Sequence, residues 1–306
     1  MILSGKRMTF IAISAALAVG LAACSPGTGA NSQEKSPSLT EPNTKLQVKS
    51  SSLLNETGNT ISERFTLPAG YERSELEPDS EEGTFAAYLR DLPLKAHGSK
   101  VFHYDGTVKQ NTRAYTAVID MDVGKKDLQQ CADAVMRLRG EYLYQSGHFD
   151  QIRFHLTNGF LVDYSKWMQG YRVAVEGNET EWVKSAVASN TYEDFRKYME
   201  FVFIYAGSLS LSLEMKSVPV TDMRIGDVLV QGGTPGHAVI VVDMAVHRET
   251  GKKLYMLAQS YMPAQNIQIL TNPNDKELSP WYVLDDQQED IRTPEWTFTT
   301  RDLKRF

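Results

Sequence analysis

The chain has 306 residues, is 42% hydrophobic, and carries 32 basic against 38 acidic side chains, a formal charge of −6. That balance, with no basic run, excludes a nucleic-acid footprint. Two cysteines exclude a disulfide scaffold, and no apolar run beyond the leader is long enough to span a bilayer.

The leader has Lys6 and Arg7 followed by an apolar run from Met8 to Ala23, the pattern of a cleaved secretory signal over residues 1–24. It ends in Leu21-Ala22-Ala23-Cys24, which resembles a bacterial lipobox. The resemblance implies lipidation of Cys24, cleavage before it, and attachment to a membrane through the N-terminal lipid. Ser25 in place of Asp resembles outer-membrane sorting, hence an anchor facing the periplasm in a host with two membranes. Residues 25–60 are rich in Ser, Thr, Asn, Pro and Gly. They cannot bury enough apolar area to offset ordering entropy, so they predict a disordered tether of roughly 35 Å mean span. Residues 61–306 suit one globular domain.

In that domain Phe85–Arg90 predicts a short helix, and Val101–Tyr104 and Ala114–Met121 predict strands. Leu128, Cys131, Ala132, Val135, Leu138 and Tyr142 recur at helical spacing. The helix is predicted to open near Lys126 or Asp127, which puts Cys131 several residues inside it and on its apolar stripe. Arg137 and Arg139 lie off that stripe or at its edge with Glu141 near them, and they read as solvated charges or salt bridges worth little each. Gln151–Leu156 and Phe160–Tyr164 predict a hairpin turning on Asn158-Gly159. A helix is predicted from Thr191, and a shorter one from Ser208 to Lys216.

The last third predicts strands at Asp227–Val230, Ala238–Val242, Lys253–Ala258 and Ile267–Leu270. Helices first and an antiparallel β-meander later give an α+β fold. In that arrangement His237 opens one strand and Gln259 closes an antiparallel neighbour, so the two can meet. An amide carbonyl on one ring nitrogen would set the tautomer and leave the other nitrogen free as a base.

Gly226-Asp227, then Gly236-His237-Ala-Val-Ile-Val-Val, resembles the histidine half of papain-like cell-wall cysteine hydrolases, the NlpC/P60 and CHAP families. The resemblance implies a papain-like core with Cys131 as nucleophile, His237 as base and acid, and Gln259 as orienting residue. It also implies an amide of peptidoglycan or another envelope component as substrate. A nearby imidazolium and a helix N-terminus would then lower the thiol pKa. Three departures stand against it: the long separation of Cys131 from His237, the helical position of the cysteine, and Gln259 where His, Asn, Asp or Glu is usual. They leave open a packed core cysteine, and with it a non-catalytic envelope protein that binds through a papain-like pocket. Over nearly its whole exported length the chain also resembles the lipoproteins of domain-of-unknown-function 4846, carried by Asp127-Leu-Gln-Gln-Cys-Ala-Asp-Ala134, Tyr205-Ala-Gly-Ser-Leu-Ser-Leu211 and Leu257-Ala-Gln-Ser-Tyr-Met-Pro-Ala-Gln265.

No motif calls for a cofactor. Neither His97 with His103 nor His148 with His155 has a metal-ligand spacing. No Gly-x-Ser-x-Gly elbow surrounds Ser208 or Ser210. Tyr164, Trp167, Tyr171 and Trp182 read as packing aromatics.

Overall fold

Helix Cys131–Gln145 packs against an eleven-residue strand, His237–His247, and this pair is the centre of the fold. The computed structural model describes residues 53–76 and 80–306. Cys24, the leader and most of the tether lie outside the described residues.

The apolar runs of the last third form the predicted meander. Val228–Gln231, His237–His247, Lys253–Gln259 and Gln268–Leu270 are successive antiparallel neighbours. Tyr115–Val118 continues the sheet beyond Gln268–Leu270. At the other edge the C-terminal strand Leu303–Arg305 pairs with Val228–Gln231, and Lys216–Ser217 follows it. Tyr71–Arg73 and Tyr282–Val283 add short pairings to the second and third meander strands. Helices packed on a mostly antiparallel sheet make the fold α+β, as expected. The central strands carry no inside–outside alternation: the first nine residues of His237–His247 are all buried. Packing on both sides of a strand favours such continuous apolar runs.

One buried charge ties the periphery to this strand. Asp243 is fully buried and paired with Arg73 and Arg90, the latter at 2.8 Å. Burial raises the Asp243 pKa and the two guanidiniums oppose that rise.

Three expectations change. The helix expected from Lys126 or Asp127 begins at Cys131, with Gln130 as an extended N-cap. The Asp133 carboxylate accepts from the Gln130 amide at 3.0 Å, a local bond that competes with earlier helical turns. The body also starts before Ile61. Leu54 bridges Phe65, and the Thr60 side chain caps helix Ile61–Arg64, so the last residues assigned to the tether belong to the folded unit. Finally, Val101–Tyr104 forms only isolated bridges, from Phe102 to Val108 and from His103 to Gln265.

The Asn158-Gly159 hairpin forms as Arg153–His155 with Leu161–Asp163. Tyr164 and Trp167 are buried packing residues. Helix Tyr192–Tyr205 opens on the Thr191 cap, and Ser208–Glu214 follows. Two further hairpins were not anticipated: Tyr171–Glu176 with Glu179–Lys184, and Asp290–Arg292 with Thr297–Thr299.

Candidate functional site

The Gly-rich loop before His237 is built for close approach. A Cβ on Gly236 would stand 2.3 Å from Ser208 Oγ, 2.5 Å from the Gly233 carbonyl and 2.8 Å from that of Gln231. Gly233 has φ 126°, a conformation that suits glycine alone. The loop thus folds back on itself and on helix Ser208–Glu214, then delivers His237 into the strand opposite Gln231.

His237 is 2% exposed. Its ring meets Tyr261 edge-on at 4.9 Å and lies near Trp296 at 5.3 Å and Phe298 at 5.8 Å. Its Nε2 is 2.8 Å from Gln259 Oε1. Gln259 Nε2 donates in turn to Glu295 Oε2 at 2.7 Å, and Lys109 Nζ donates to the same carboxylate oxygen at 2.8 Å. A carboxylate only accepts, so Glu295 holds the Gln259 amide with its nitrogen outward and its oxygen on the histidine. Neutral His237 then carries its proton on Nε2, and Nδ1 is the free acceptor.

Cys131 is the first residue of its helix and half-buried. The thiol opens the helix that packs against the histidine strand, and the Ala238 amide, next in chain to His237, acts to lower its pKa. The amides of Ala132 and of Cys131 itself also act to lower it. These are donors that the first turn of a helix leaves without carbonyl partners. Burial is the larger effect, and it pushes the thiol pKa up despite these donors. Burial also lowers the His237 pKa to about 4, against the opposing bond from Gln259. The resting pair is therefore neutral thiol and neutral imidazole, not the low-pKa thiolate that the family resemblance implied.

Buried polar groups brace the segment in front of the cysteine. Ser260 Oγ lies 2.9 Å from the Gln129 carbonyl. Arg137 Nη1 donates to Gln129 Oε1 at 2.7 Å, and Arg137 Nε to Glu141 Oε1 at 2.6 Å. Arg137 and Glu141 are 1% and 3% exposed. Of the two expectations, solvated charge or salt bridge, the salt bridge holds, but it is buried and not at the surface: Asp122, Tyr192 and Gln129 supply the further partners that make the burial tolerable. Among the described residues no three His, Cys, Asp or Glu side chains group to hold a metal ion, and no helix is long and apolar enough to cross a membrane.

Sequence reasoning selected Cys131, His237 and Gln259; the structure joins His237 to Gln259 by a hydrogen bond and sets Cys131 at the start of the helix packed on the histidine strand. It missed Glu295, Lys109, Trp296 and Phe298. Glu295 and Trp296 sit in the turn of the unanticipated hairpin, and Lys109 in a loop, so no periodicity marks them. Tyr261 lay within the stretch already singled out.

The profile of domain of unknown function (4846) matches residues 61–305. The chain belongs to this family. Searches among curated proteins and among solved structures give no match. Family membership accounts for almost the whole folded body and carries no assigned chemistry, which leaves the site geometry as the ground for function.

Proposed function

We propose that this chain is an exported, lipid-anchored cysteine amidase or peptidase with a papain-like catalytic arrangement. In this reading Cys131 is the nucleophile, His237 the general base and acid, and Gln259 the orienting residue. Its substrate is an amide of peptidoglycan peptides or another envelope component. One observation carries the reading: Cys131 is the first residue of a helix that packs on the strand of a histidine whose Nε2 is held by Gln259.

The chemistry follows from the neutral resting pair. His237 Nδ1 takes the thiol proton as the sulfur attacks the carbonyl carbon. The first-turn amides face the region where negative charge gathers. The C–N bond breaks, the imidazolium protonates the departing amine, and a thioester remains on Cys131. Water, deprotonated by the same nitrogen, then releases the acid and restores the thiol. Because His237 has a low pKa, the proton transfer is concerted with attack and not completed before it.

Turnover of purified peptidoglycan fragments, followed by release of new amino groups, tests the reading. The wild type should act, and Cys131→Ala and His237→Ala should each lose activity by about a thousandfold or more. Absence of amine release across peptide and sugar–peptide fragments, together with alkylation of Cys131 at the same rate in His237→Ala, would overturn it.

The upward shift of the thiol pKa and the low one of His237 favour a second reading, a binding protein that uses the pocket without chemistry. It expects fragment binding that survives Cys131→Ala without turnover.

A further inference from the structure

A cavity lies well away from the thiol. Its wall includes Arg139 and Leu143, about two to three turns beyond Cys131 on the same helix, hence roughly 12 Å or more along the axis. The cavity has a volume of about 570 Å³, within the range of small-molecule sites. Five cationic side chains line it, Arg139, Arg153, Lys216, Arg224 and Arg305, against two carboxylates, Glu214 and Asp227. In a chain of net charge −6, such a concentration of positive charge is a local construction.

The carboxylates are already engaged. Arg305 donates to both oxygens of Asp227, at 2.6 and 2.8 Å, and the Arg224 amide donates to one of them at 2.8 Å. Glu214 accepts from the His155 amide at 3.1 Å. Arg153, Lys216 and Arg224 form no ion pair with a carboxylate among the described residues. Arg139 is held over the rings of Phe85 and Phe306, at 5.0 and 5.5 Å, which presets its planar donor fork. Phe154 and Ile225 supply apolar wall.

We propose that this cavity binds the phosphate group of a small organic molecule, with Arg153, Arg224 and Lys216 on the oxyanion and the apolar wall against the remainder. A dianion matches several unpartnered cations better than a single carboxylate, and guanidinium forks match its oxygens in pairs. The site is independent of Cys131 chemistry and stands if the hydrolase reading fails.

Calorimetric titration of the full chain with inorganic pyrophosphate at fixed ionic strength tests it. Saturable binding tighter than about 1 mM is expected, and Arg153→Gln/Arg224→Gln should weaken it at least about tenfold. Lys216→Gln, on an exposed short strand, should give a smaller loss of about threefold. Cys131→Ser and the distant Arg248→Gln should bind as wild type. Competition by phosphatidylglycerol vesicles would place the phosphate on a lipid headgroup; its absence would place it on a soluble ester. No saturable binding, equal binding by the double variant, an equal loss in Arg248→Gln, or equal affinity for acetate would each overturn the proposal.

Discussion

His237 should make this protein acid-sensitive over a defined window. Burial depresses its pKa from 6.5 to about 4, so the unfolded chain binds the proton more tightly than the folded one. The linkage sign follows: the full stability is present above pH 6.5 and is lost as pH falls toward 4. At roughly 1.4 kcal/mol per pKa unit the complete loss is about 3 kcal/mol, and about 2 kcal/mol of it has already accrued at pH 5. Replacing His237 with Gln removes the titration and keeps an amide beside Gln259. Urea unfolding at pH 7.5 and 5.0 on both proteins isolates the effect, because Asp133, Asp227 and Asp243, whose raised pKa values act in the opposite sense, are common to both. The wild type should lose about 2 kcal/mol more than His237→Gln, a relative midpoint shift of about 1 M urea. Parallel losses in the two proteins would show that His237 titrates normally, and the neutral resting pair would fall with that result.

The other expectations concern the groups around the pair. Glu295→Leu removes the acceptor that holds the Gln259 amide, so turnover should fall by about tenfold, the worth of one ordinary hydrogen bond; ¹⁵N spectra should show His237 leaving a pure Nε2–H tautomer, and an unchanged spectrum would contradict the orienting role. Glu141→Leu removes one of the two carboxylates paired with the buried Arg137 guanidinium and leaves Asp122; it should cost about 2 kcal/mol in urea unfolding, whereas a solvated pair would cost under about 1 kcal/mol. Gly236→Ala forces the loop carbonyls apart and should reduce turnover and stability together, by about 1–3 kcal/mol in the latter; wild-type behaviour would show that the loop relaxes freely. Cys24→Ala should release the protein from the membrane fraction and abolish incorporation of labelled fatty acid, and continued sedimentation with membranes would refute the lipid anchor.

Cys131 shows how far local sequence carries such a site. Its spacing with Ala132, Val135 and Leu138 placed it on a helix, correctly, but spacing cannot say where a helix begins. The start was decided by the bond from the Gln130 amide to Asp133 and by the clamp of Ser260 and Arg137 on Gln129. Those contacts moved Cys131 from the middle of a helix to its first residue. Arg137 and Glu141 carry the same lesson in reverse: charged residues off an apolar stripe look solvated until the partners that surround them are known.

By itself, the sequence determined what depends on near neighbours: the runs that make the meander, the turn at Asn158-Gly159, the glycines that open the loop before His237, and the opposition of His237 to Gln259. Residues far apart in the chain could be joined only by the tertiary structure. It brought the cysteine helix onto the histidine strand, and it carried Glu295 and Trp296 from the C-terminal hairpin, and Lys109 from a loop, to complete the surroundings of the imidazole. It also set the charges. A pKa responds to burial and to every nearby dipole, and those are properties of the packed chain, so neither the neutral thiol–imidazole pair nor the cationic cavity beyond it could be read from spacing alone.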